Sequence, residues 1–323
     1  MKKYILRRVL MMVPMLLGIS VISFVIMQLA PGDPASLSAA MNQKIDPTYI
    51  EKLRQSYGLN DPLYLQYWHW LNHLVRLDFG TSFKDNRPVL SLILEHMPAT
   101  LLLSGLSLVL LFLIGVPLGV AAAYYQGKLP DKLITGFIFF GFSMPDFWLA
   151  VMLMMLLGVT WGIMPVSGMA SLGAEYLPWL PRMADLGWHL ILPLFVTTFV
   201  GLASVSQYAK TSLLEVIRQD YIRTARAKGL SEARVIFHHA LPNAMAPIVT
   251  LMGLSLPGLI GGSVIIESIF AWPGMGRLGY ESMMDHNYPV VMGVGIISAF
   301  LTLLGNLLAD IGYAWLDPRV HYD

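Results

Sequence analysis

The sequence predicts an all-α protein that crosses a membrane six times. Apolar residues make up 56% of the 323 residues and charged residues only 13%, against roughly 25% charged in ordinary globular domains. Because so little charge cannot cover a soluble surface, and because the mean hydropathy is +0.62, the chain needs lipid as its solvent. Six apolar runs are long enough to cross roughly 30 Å of hydrocarbon; they are residues 9–30, 99–125, 133–160, 189–209, 248–271 and 289–312.

The distribution of positive charge predicts which loops are inside. The first apolar run is longer than the core of a cleavable signal peptide, so we expect it to stay in the chain. Lys and Arg collect beside the runs at residues 2–8, 128–132 and 210–234, and the positive-inside rule makes these segments cytoplasmic. Both termini are therefore predicted to be inside. The predicted parts of the chain are 1–30 (N-terminus and first span), 31–98 (outer segment), 99–312 (five-helix core) and 313–323 (cytoplasmic tail).

The outer segment is predicted to contain two short helices, at 48–57 and 63–77, each preceded by an Asp-Pro pair. The second helix carries aromatic residues of the kind that suits a membrane interface. These residues are Tyr64, Tyr67, Trp68 and Trp70. We expect this helix to lie along the outer membrane surface or to face a partner there.

Several kinds of chemistry are excluded. A net charge of +1 argues against nucleic acid held by phosphate neutralisation, and a chain with no Cys has no disulfide, Cys-ligated zinc or thiol catalysis. The phosphate loop of an ATPase and the His-Glu-x-x-His motif of a zinc hydrolase are both missing from the sequence. His69 and His73 could share a metal, but no third ligand follows in a supporting pattern. We expect no metal and no cofactor in this chain.

Three acidic residues lie inside the apolar runs, where charge is costly and marks functional candidates. Asp146 follows Pro145 near the middle of the third run and either lines a pathway or solvates a helix break. Glu267 lies near the outer end of the fifth run. Asp146 and Glu267 are the pathway candidates. Asp310 lies near the inner end of the sixth run, where we expect a solvated or paired structural role.

Small residues at four-residue spacing also occur in the runs, at Gly115 with Gly119 and at Gly258 with Gly262. Such pairs let membrane helices approach closely. They are equally ordinary in any protein with several spans, so each pair alone predicts little.

The cytoplasmic segment 210–247 is predicted to hold two helices separated by a turn. Residues 212–228 form the first, Gly229 stops it, Ser231 caps the second, and Leu241-Pro242 closes it. The basic side chains here could simply anchor the segment to anionic lipid. A glycine hinge between two capped helices is not needed for an anchor, however, and favours a docking element for a cytoplasmic protein.

At these residues the sequence resembles the membrane subunit of a binding-protein-dependent ATP-binding-cassette (ABC) importer. That class carries a cytoplasmic loop in which Glu-Ala-Ala, three residues, Gly and nine further residues lead to Ile-x-Leu-Pro. With Gly229 aligned, residues 223–225 occupy the first three positions and Leu241-Pro242 the last two. The run Asp-Tyr-Ile-Arg-Thr-Ala-Arg-Ala-Lys-Gly-Leu at 220–230 is similar to the version in the dipeptide, oligopeptide and nickel permease family.

Further stretches similar to that family run along nearly the whole chain. They include Pro-Gly-Asp-Pro-Ala at 31–35, Pro-Ala-Thr-Leu at 98–101, Ser-Met-Pro at 143–145, the segment 267–276 and Asp-Pro-Arg at 317–319. The extended outer segment resembles the first, or B-type, of two permease subunits.

The resemblance implies a permease that forms half of a translocation path for di- or oligopeptides in a bacterial or archaeal cytoplasmic (inner) membrane. The implied partners are a C-type permease subunit in a heterodimer, two cytoplasmic ATPases that hold ATP and Mg, an extracytoplasmic substrate-binding protein and membrane lipid. The residues that would couple to the ATPases are Asp220, Tyr221, Arg223, Thr224, Ala225, Arg226, Lys228, Gly229, Leu241 and Pro242. Transport would follow alternating access, with no covalent chemistry in this chain.

Three alternatives remain open. A nickel or glutathione importer of the same family would differ in cargo, which the binding protein is expected to select. A proton-coupled carrier could relay protons through Asp146, Glu267 and Asp310, although no inverted repeat is visible. An intramembrane hydrolase would need paired aspartates, and Asp146 and Asp310 fall near the middle and the inner end of their runs.

Overall fold

A computed structural model describes residues 2–29, 47–56, 58–256 and 258–316. This part of the chain contains no β-strand, and a single isolated bridge joins Thr81 to Pro88. Its helices are α1 (Lys2–Leu29), α2 (Pro47–Ser56), α3 (Leu63–Val75), α4 (Val89–Tyr124), α5 (Leu129–Phe142), α6 (Asp146–Leu153), α7 (Trp179–Ile217), α8 (Asp220–Ala227), α9 (Glu232–Ser255), α10 (Gly258–Gly261), α11 (Val264–Ile269), α12 (Met275–Met284) and α13 (Tyr288–Leu316). A π-helical stretch, Met154–Thr160, extends α6, and another, Val235–Ala240, lies inside α9.

Five helices of the described chain are long and apolar enough to cross a membrane. They are α1, α4, α7, α9 and α13. The pair α5 and α6 passes the same test together but bends by 94° at the break between its halves. Counted as one broken crossing, this pair gives the six spans that the sequence predicts, and the all-α membrane fold is confirmed.

The predicted third span, 133–160, is two helices rather than one. Pro145 has no N–H to donate and restricts the residue before it, so α5 ends at Phe142 and a new helix begins at Asp146. Ser143 occupies the break, and its Oγ donates to the backbone oxygen of Phe139 at 2.8 Å. The prediction of one continuous span is wrong here because the proline interrupts the backbone bonding.

The fifth span lies earlier in the chain than the predicted 248–271, because α9 runs from Glu232 to Ser255. Leu241-Pro242 does not close a helix, contrary to the prediction. Pro242 lies in the first turn after the π-helical stretch, where a missing N–H is tolerated. Asn243 Nδ2 also donates to the backbone oxygen of His239 at 2.9 Å, which satisfies a carbonyl beside the proline.

The end of the predicted fifth span folds as two short helices, α10 and α11. Gly262 lies between them with a φ of +63°, a left-handed conformation that glycine adopts at little cost. Pro257 lies outside the described residues. Glu267, on α11, is therefore outside the five candidate spans.

The long helices α4 and α7 pack against each other at the centre of the bundle. A Cβ atom on Gly119 would lie 2.3 Å from the backbone oxygen of Ser206, and one on Gly115 would lie 3.0 Å from Val205 Cγ1. Glycine at these two positions lets the helix backbones touch. The second small-residue pair behaves differently, since Gly258 has no atom within 4 Å of its Cβ position.

Both central helices are longer than predicted. The second predicted span begins at residue 99, whereas α4 begins at Val89; Glu95 and His96 interrupt the apolar run without interrupting the helix. At its other end α7 continues to Ile217. The predicted helix 212–228 is therefore wrong, because its first part belongs to α7 and its second part is α8.

The outer helices α2 and α3 agree with the predicted 48–57 and 63–77. α3 packs on the first span with one face, where the hydroxyls of Tyr67 and Ser20 lie 2.8 Å apart. Tyr64 and Trp68 face away and are 71% and 62% exposed. His73 Nδ1 lies 2.8 Å from Asp78 Oδ2, and within the described ranges no three His, Cys, Asp or Glu side chains are grouped as a metal site.

The start of α1 and the end of α13 meet at one end of the bundle. Arg8 Nη2 lies 2.8 Å from Asp310 Oδ2, and the Tyr4 hydroxyl donates to the same oxygen at 3.0 Å. Asp310 thus has the paired structural role expected of it.

The predicted divisions of the chain cut across helices. The 98/99 boundary falls inside α4, while 210–247 covers the end of α7, all of α8 and the first two thirds of α9. The stretches 31–35 and 317–319 lie outside the described residues.

Candidate functional site

The predicted coupling residues gather on α8 and the turn that follows it. α7 ends at Ile217, and Gln219 takes an extended backbone (φ −71°, ψ 149°) that redirects the chain. Asp220 then opens α8, where its negative charge faces the positive end of the helix dipole. A helix of only eight residues is unstable in isolation, so α8 must be held by packing.

One face of α8 is buried in the bundle. Ile222 is completely buried and Ala225 is 8% exposed, and residues three apart share a helix face. They belong to one apolar cluster with residues of α4, α7 and α9, namely Val120, Ala123, Leu213, Val235, Ile236, Ala240 and Ala244. Because this cluster joins three spans, a force applied to α8 acts on all three at once.

The opposite face of α8 is exposed and polar. Its exposed polar residues, with the residue that follows the helix, are Asp220, Tyr221, Arg223, Thr224, Arg226 and Lys228, and the small Ala227 is exposed beside them. Asp220 and Arg223 lie 3.4 Å apart, but an exposed pair of this kind adds little stability. This face is available to bind another protein.

Gly229 ends this segment as predicted. Its φ is +78°, the left-handed conformation of a helix stop, and its N–H donates to the backbone oxygen of Arg226 at 2.9 Å. Across the turn, Arg226 Nη2 lies 2.6 Å from Glu232 Oε1, and this carboxylate raises the pKa of Arg226. The ion pair links the end of α8 to the start of α9.

Two of the predicted coupling residues lie away from the exposed face of α8. Leu241 is half-buried and packs on the apolar cluster. Pro242 is exposed in the interior of α9. The Leu-Pro pair thus belongs to a span, and the exposed polar surface is made by 220–229.

Asp146 lies at the break of the third span. It is half-buried, and its Oδ1 accepts from the N–H of Phe147 at 2.7 Å. No ion pair joins Asp146 to another side chain in the part of the chain that the structure describes. Its placement is that of a residue that opens α6, and among the described residues no hydrogen bond or ion pair joins it to Glu267.

Glu267 is completely buried. Its Oε1 accepts from Thr100 Oγ1 at 2.9 Å and its Oε2 from the N–H of Arg277 at 2.9 Å. Cβ atoms built on Gly262, Gly274 and Gly276 would lie 2.6, 2.4 and 2.9 Å from atoms of this carboxyl group, so glycine backbone encloses it. Burial raises the pKa of Glu267 above the ordinary 4.5, although these hydrogen bonds act in the opposite direction.

Glu267 stays a pathway candidate predicted from the sequence, and this structure encloses it. Its carboxyl group reaches no solvent, and its hydrogen bonds join α11 to α4 and α12. Sequence reasoning missed its partner Thr100, whose Oγ1 also accepts from the N–H of Met275 at 2.8 Å. Trp272 is completely buried beside it and donates through Nε1 to the backbone oxygen of Ala99 at 2.8 Å.

The stretches 98–101 and 267–276, which the family resemblance identifies separately, are thus in contact. Only the folded structure shows this contact, and no pattern in the sequence indicates that Thr100 and Glu267 are partners. We name the group of Thr100, Glu267, Trp272, Gly274 and Arg277 the outer cluster.

Comparison with known proteins decides the family. Residues 115–322 match the family described as "Binding-protein-dependent transport system inner membrane component". Residues 1–104 match "Binding-prot-dependent transport system membrane comp, N-term". The chain belongs to this family of permeases.

Relatives of the permease match it over its whole length. It is 46% identical over 323 residues to the oligopeptide transport system permease protein AppB of Bacillus subtilis (strain 168), with 100% of both chains covered. It is 38% identical over 324 residues to the glutathione transport system permease protein GsiC of Salmonella typhimurium, again with 100% of both covered.

A solved structure supports the fold. A chain of the MetNI methionine ABC transporter in an inward-facing conformation aligns with a TM-score of 0.54 and 20% identity, covering 71% of the permease and 97% of that chain. The permease is therefore an inner-membrane subunit of a binding-protein-dependent ABC importer, a transport protein that works with ATPase and substrate-binding partners.

Proposed function

We propose that this permease forms half of a translocation path for short peptides. The full-length relatives support this cargo, since one is named for oligopeptides and another for glutathione, which is itself a tripeptide. The identity is higher to the oligopeptide permease, and we therefore place di- and oligopeptides first and glutathione second. Nickel, the remaining alternative, has no support among these relatives.

We further propose that 220–229 is where the permease receives force from a cytoplasmic ATPase. The observation that carries this proposal is the division of α8 into a polar exposed face and an apolar face that is buried against three spans. A protein bound to the exposed face would move the inner ends of those spans together. ATP and Mg belong to the ATPases in this scheme, and no hydrolysis takes place in this chain.

The proposed assembly contains a second permease of the C-type, two ATPases and an outer substrate-binding protein. The segment 210–234 carries much of the positive charge of the chain, and the positive-inside rule makes that end cytoplasmic. Both termini are then cytoplasmic, in keeping with the contact between Arg8 and Asp310. Substrate arrives at the end that carries α3 and the outer cluster.

Reconstitution tests the cargo and the energy source. Proteoliposomes that hold this permease, the second permease and the two ATPases, with the binding protein added, should accumulate trialanine when ATP is supplied, and a protonophore should leave this uptake unchanged. This chain alone should neither hydrolyse ATP nor accumulate trialanine under a proton gradient. Gradient-driven accumulation by the chain alone would contradict the proposal and favour the proton-coupled carrier.

Charge reversal tests the coupling surface. Arg223→Glu should lower ATP-driven uptake by about tenfold, since interface residues of this kind contribute on the order of 1–2 kcal/mol, and should weaken co-purification of the ATPases. Arg182→Glu is the matched control, because Arg182 is also exposed but lies at the opposite end of α7. Equal effects of the two substitutions would argue against a docking role for α8.

A further inference from the structure

The inner half of α7 exposes a continuous polar face. Between residues 200 and 217 every exposed residue is polar: Ser204, Gln207, Tyr208, Thr211 and Glu215. Spacings of three and four residues keep these side chains on one face of the helix. The other face is packed in the bundle, with Val205, Ala209 and Leu213 buried. We name the five exposed residues the α7 polar face; at 1.5 Å per residue it extends about 16 Å along the helix.

The first span shows what a lipid-facing surface of this protein looks like. Between residues 9 and 29 of α1, every exposed residue is apolar, including Val13, Ile22 and Ile26. A helix face in contact with lipid selects such side chains because hydrocarbon offers no hydrogen bonds. The α7 polar face is equally exposed and has the opposite composition, so its surroundings are not hydrocarbon.

Three of the five side chains of this face have no partner among the residues that the structure describes. Glu215 has no ion pair, and the side chains of Gln207 and Tyr208 have no hydrogen bond, to any residue that the structure describes. Ser204 and Thr211 donate to carbonyls of their own helix, of Gly201 and Gln207, which leaves their oxygens free to accept. Together the face offers donors, acceptors and one carboxylate.

The face borders an open groove of about 510 Å³ between α7 and α9. Pro247 of α9 forms part of the other wall, and Ser212 Oγ fixes the two helices by donating to the backbone oxygen of Ala244 at 2.8 Å. A groove of this volume is in the range of small-ligand sites. It lies just before α8, at the end of the bundle that carries the coupling surface.

We propose that the α7 polar face lines the inner, water-filled part of the translocation path and binds the cargo as it leaves. This proposal rests on the proposed function, a peptide importer. Gln207, Tyr208 and Thr211 supply hydrogen-bond partners for peptide N–H and C=O groups, which every peptide carries whatever its side chains. Glu215 binds the cationic amino terminus. Lining of this kind accepts many peptides and leaves selection to the binding protein.

Thiol labelling tests the water-filled path without reference to cargo. The chain has no Cys, so single substitutions give a clean signal on this subunit. In the full complex in nanodiscs, Gln207→Cys and Thr211→Cys should react with a charged, lipid-insoluble maleimide. Ile22→Cys, on the exposed apolar face of α1, should react only with a lipid-soluble maleimide, and Ala209→Cys, fully buried beside the polar face, with neither.

The labelling should also depend on the state of the transporter. Vanadate trapping of the ATPases should lower the labelling rate of Gln207→Cys by about tenfold, because alternating access depopulates the inward-open state. Labelling of Gln207→Cys only by the lipid-soluble reagent would overturn the proposal. So would an absence of labelling of Gln207→Cys by both reagents in the full complex, since the face would then be buried in a subunit contact.

A charge comparison tests Glu215. In the purified membrane complex without the binding protein, Glu215→Gln should raise the Kd for trialanine by about tenfold, the scale of one lost charged hydrogen bond, and should leave the Kd for N-acetyl-trialanine unchanged. Equal shifts for the two peptides would overturn the role of Glu215. If the wild-type complex transports no trialanine while Gln207→Cys labels as expected, the peptide cargo and the role of Glu215 fail and the water-filled path stands.

Discussion

The outer cluster and the turn after α8 both place glycine beside charged side chains, but for different reasons. At the outer cluster a Cβ on Gly274 would lie 2.4 Å from the carboxyl group of Glu267, so this glycine makes room. At Gly229 no atom lies within 4 Å of the Cβ position, and the φ of +78° is what requires glycine. The first glycine serves packing and the second serves backbone conformation.

The ionisable side chains of the two regions also differ, in burial and in the number of their hydrogen bonds. Glu267 is completely buried and held by at least two hydrogen bonds from side chain and backbone. The charged residues of α8 are exposed, and the ion pairs of Arg223 and Arg226 are solvated. A buried carboxyl group with both oxygens hydrogen-bonded fixes a structure, whereas exposed charges remain available to a partner. Substitutions at the outer cluster should thus act on stability, and those at 220–229 on transport.

The largest expected effect is at Glu267. Glu267→Ala should destabilise the permease by about 3–5 kcal/mol, because the Thr100 hydroxyl and the Arg277 N–H lose their acceptor and a cavity remains. The measurement is thermal unfolding of the purified subunit in detergent together with the amount inserted in the membrane. Glu175→Ala, an exposed carboxylate, is the control and should change neither. An unaltered unfolding temperature in Glu267→Ala would contradict the structural role.

The next effect is expected at Gly229. Gly229→Val forces a β-branched residue into the left-handed region at a cost of about 1–2 kcal/mol, with no steric clash. It should uncouple ATP hydrolysis from uptake in a complex that still inserts and still binds the ATPases. Gly229→Asn should keep most of the uptake, because Asn tolerates this conformation. Equal loss in both variants would show that the effect is not conformational.

The sequence predicts the local features of the molecule better than its long-range contacts. Gly229 was found because a helix stop is a local property, readable from a glycine between two helical patterns. The existence of six spans followed from apolar runs, for which length is decisive. Both features depend on residues close together in the chain. The structure confirms the left-handed glycine, and its five long apolar helices give six crossings when the bent pair is counted as one span.

The errors have a common physical cause. A long apolar run predicts a single helix, but apolarity does not determine backbone continuity. Pro145 divides the third run, and Gly262 turns the chain within the fifth. The opposite error occurs at Leu241-Pro242, where a π-helical stretch carries α9 past a proline. The partner of Glu267 is Thr100, 167 residues away, and no local pattern could supply it.

A smaller effect is expected on the pH dependence of stability, which Glu267 should control. Burial raises the pKa of Glu267 above the ordinary 4.5, so folding favours its protonated form. This contribution to stability is complete below pH 4.5 and is lost as the pH rises through the raised pKa. The unfolding temperature of the wild type should therefore fall, relative to that of Glu267→Gln, as the pH rises above 4.5.

The control for this pH dependence is Glu175→Gln, whose curve should run parallel to that of the wild type because Glu175 is exposed. A wild type that gains stability relative to Glu267→Gln as the pH rises would mean that the hydrogen bonds of Thr100 and Arg277 outweigh burial.

The smallest effect on stability is expected at the ion pair of Arg226 and Glu232. Their side chains are 38% and 49% exposed, and exposed pairs contribute about 0.2–1 kcal/mol. A double-mutant cycle of Arg226→Gln and Glu232→Gln should give a coupling energy in that range by thermal unfolding. The fractional loss of uptake should exceed the fractional loss of stability, since the pair joins the end of α8 to the start of α9 across Gly229. If uptake and stability change in proportion, the pair is only a structural contact. Arg226 would then act on stability, as the outer cluster does, and not on the transfer of force through the turn after α8.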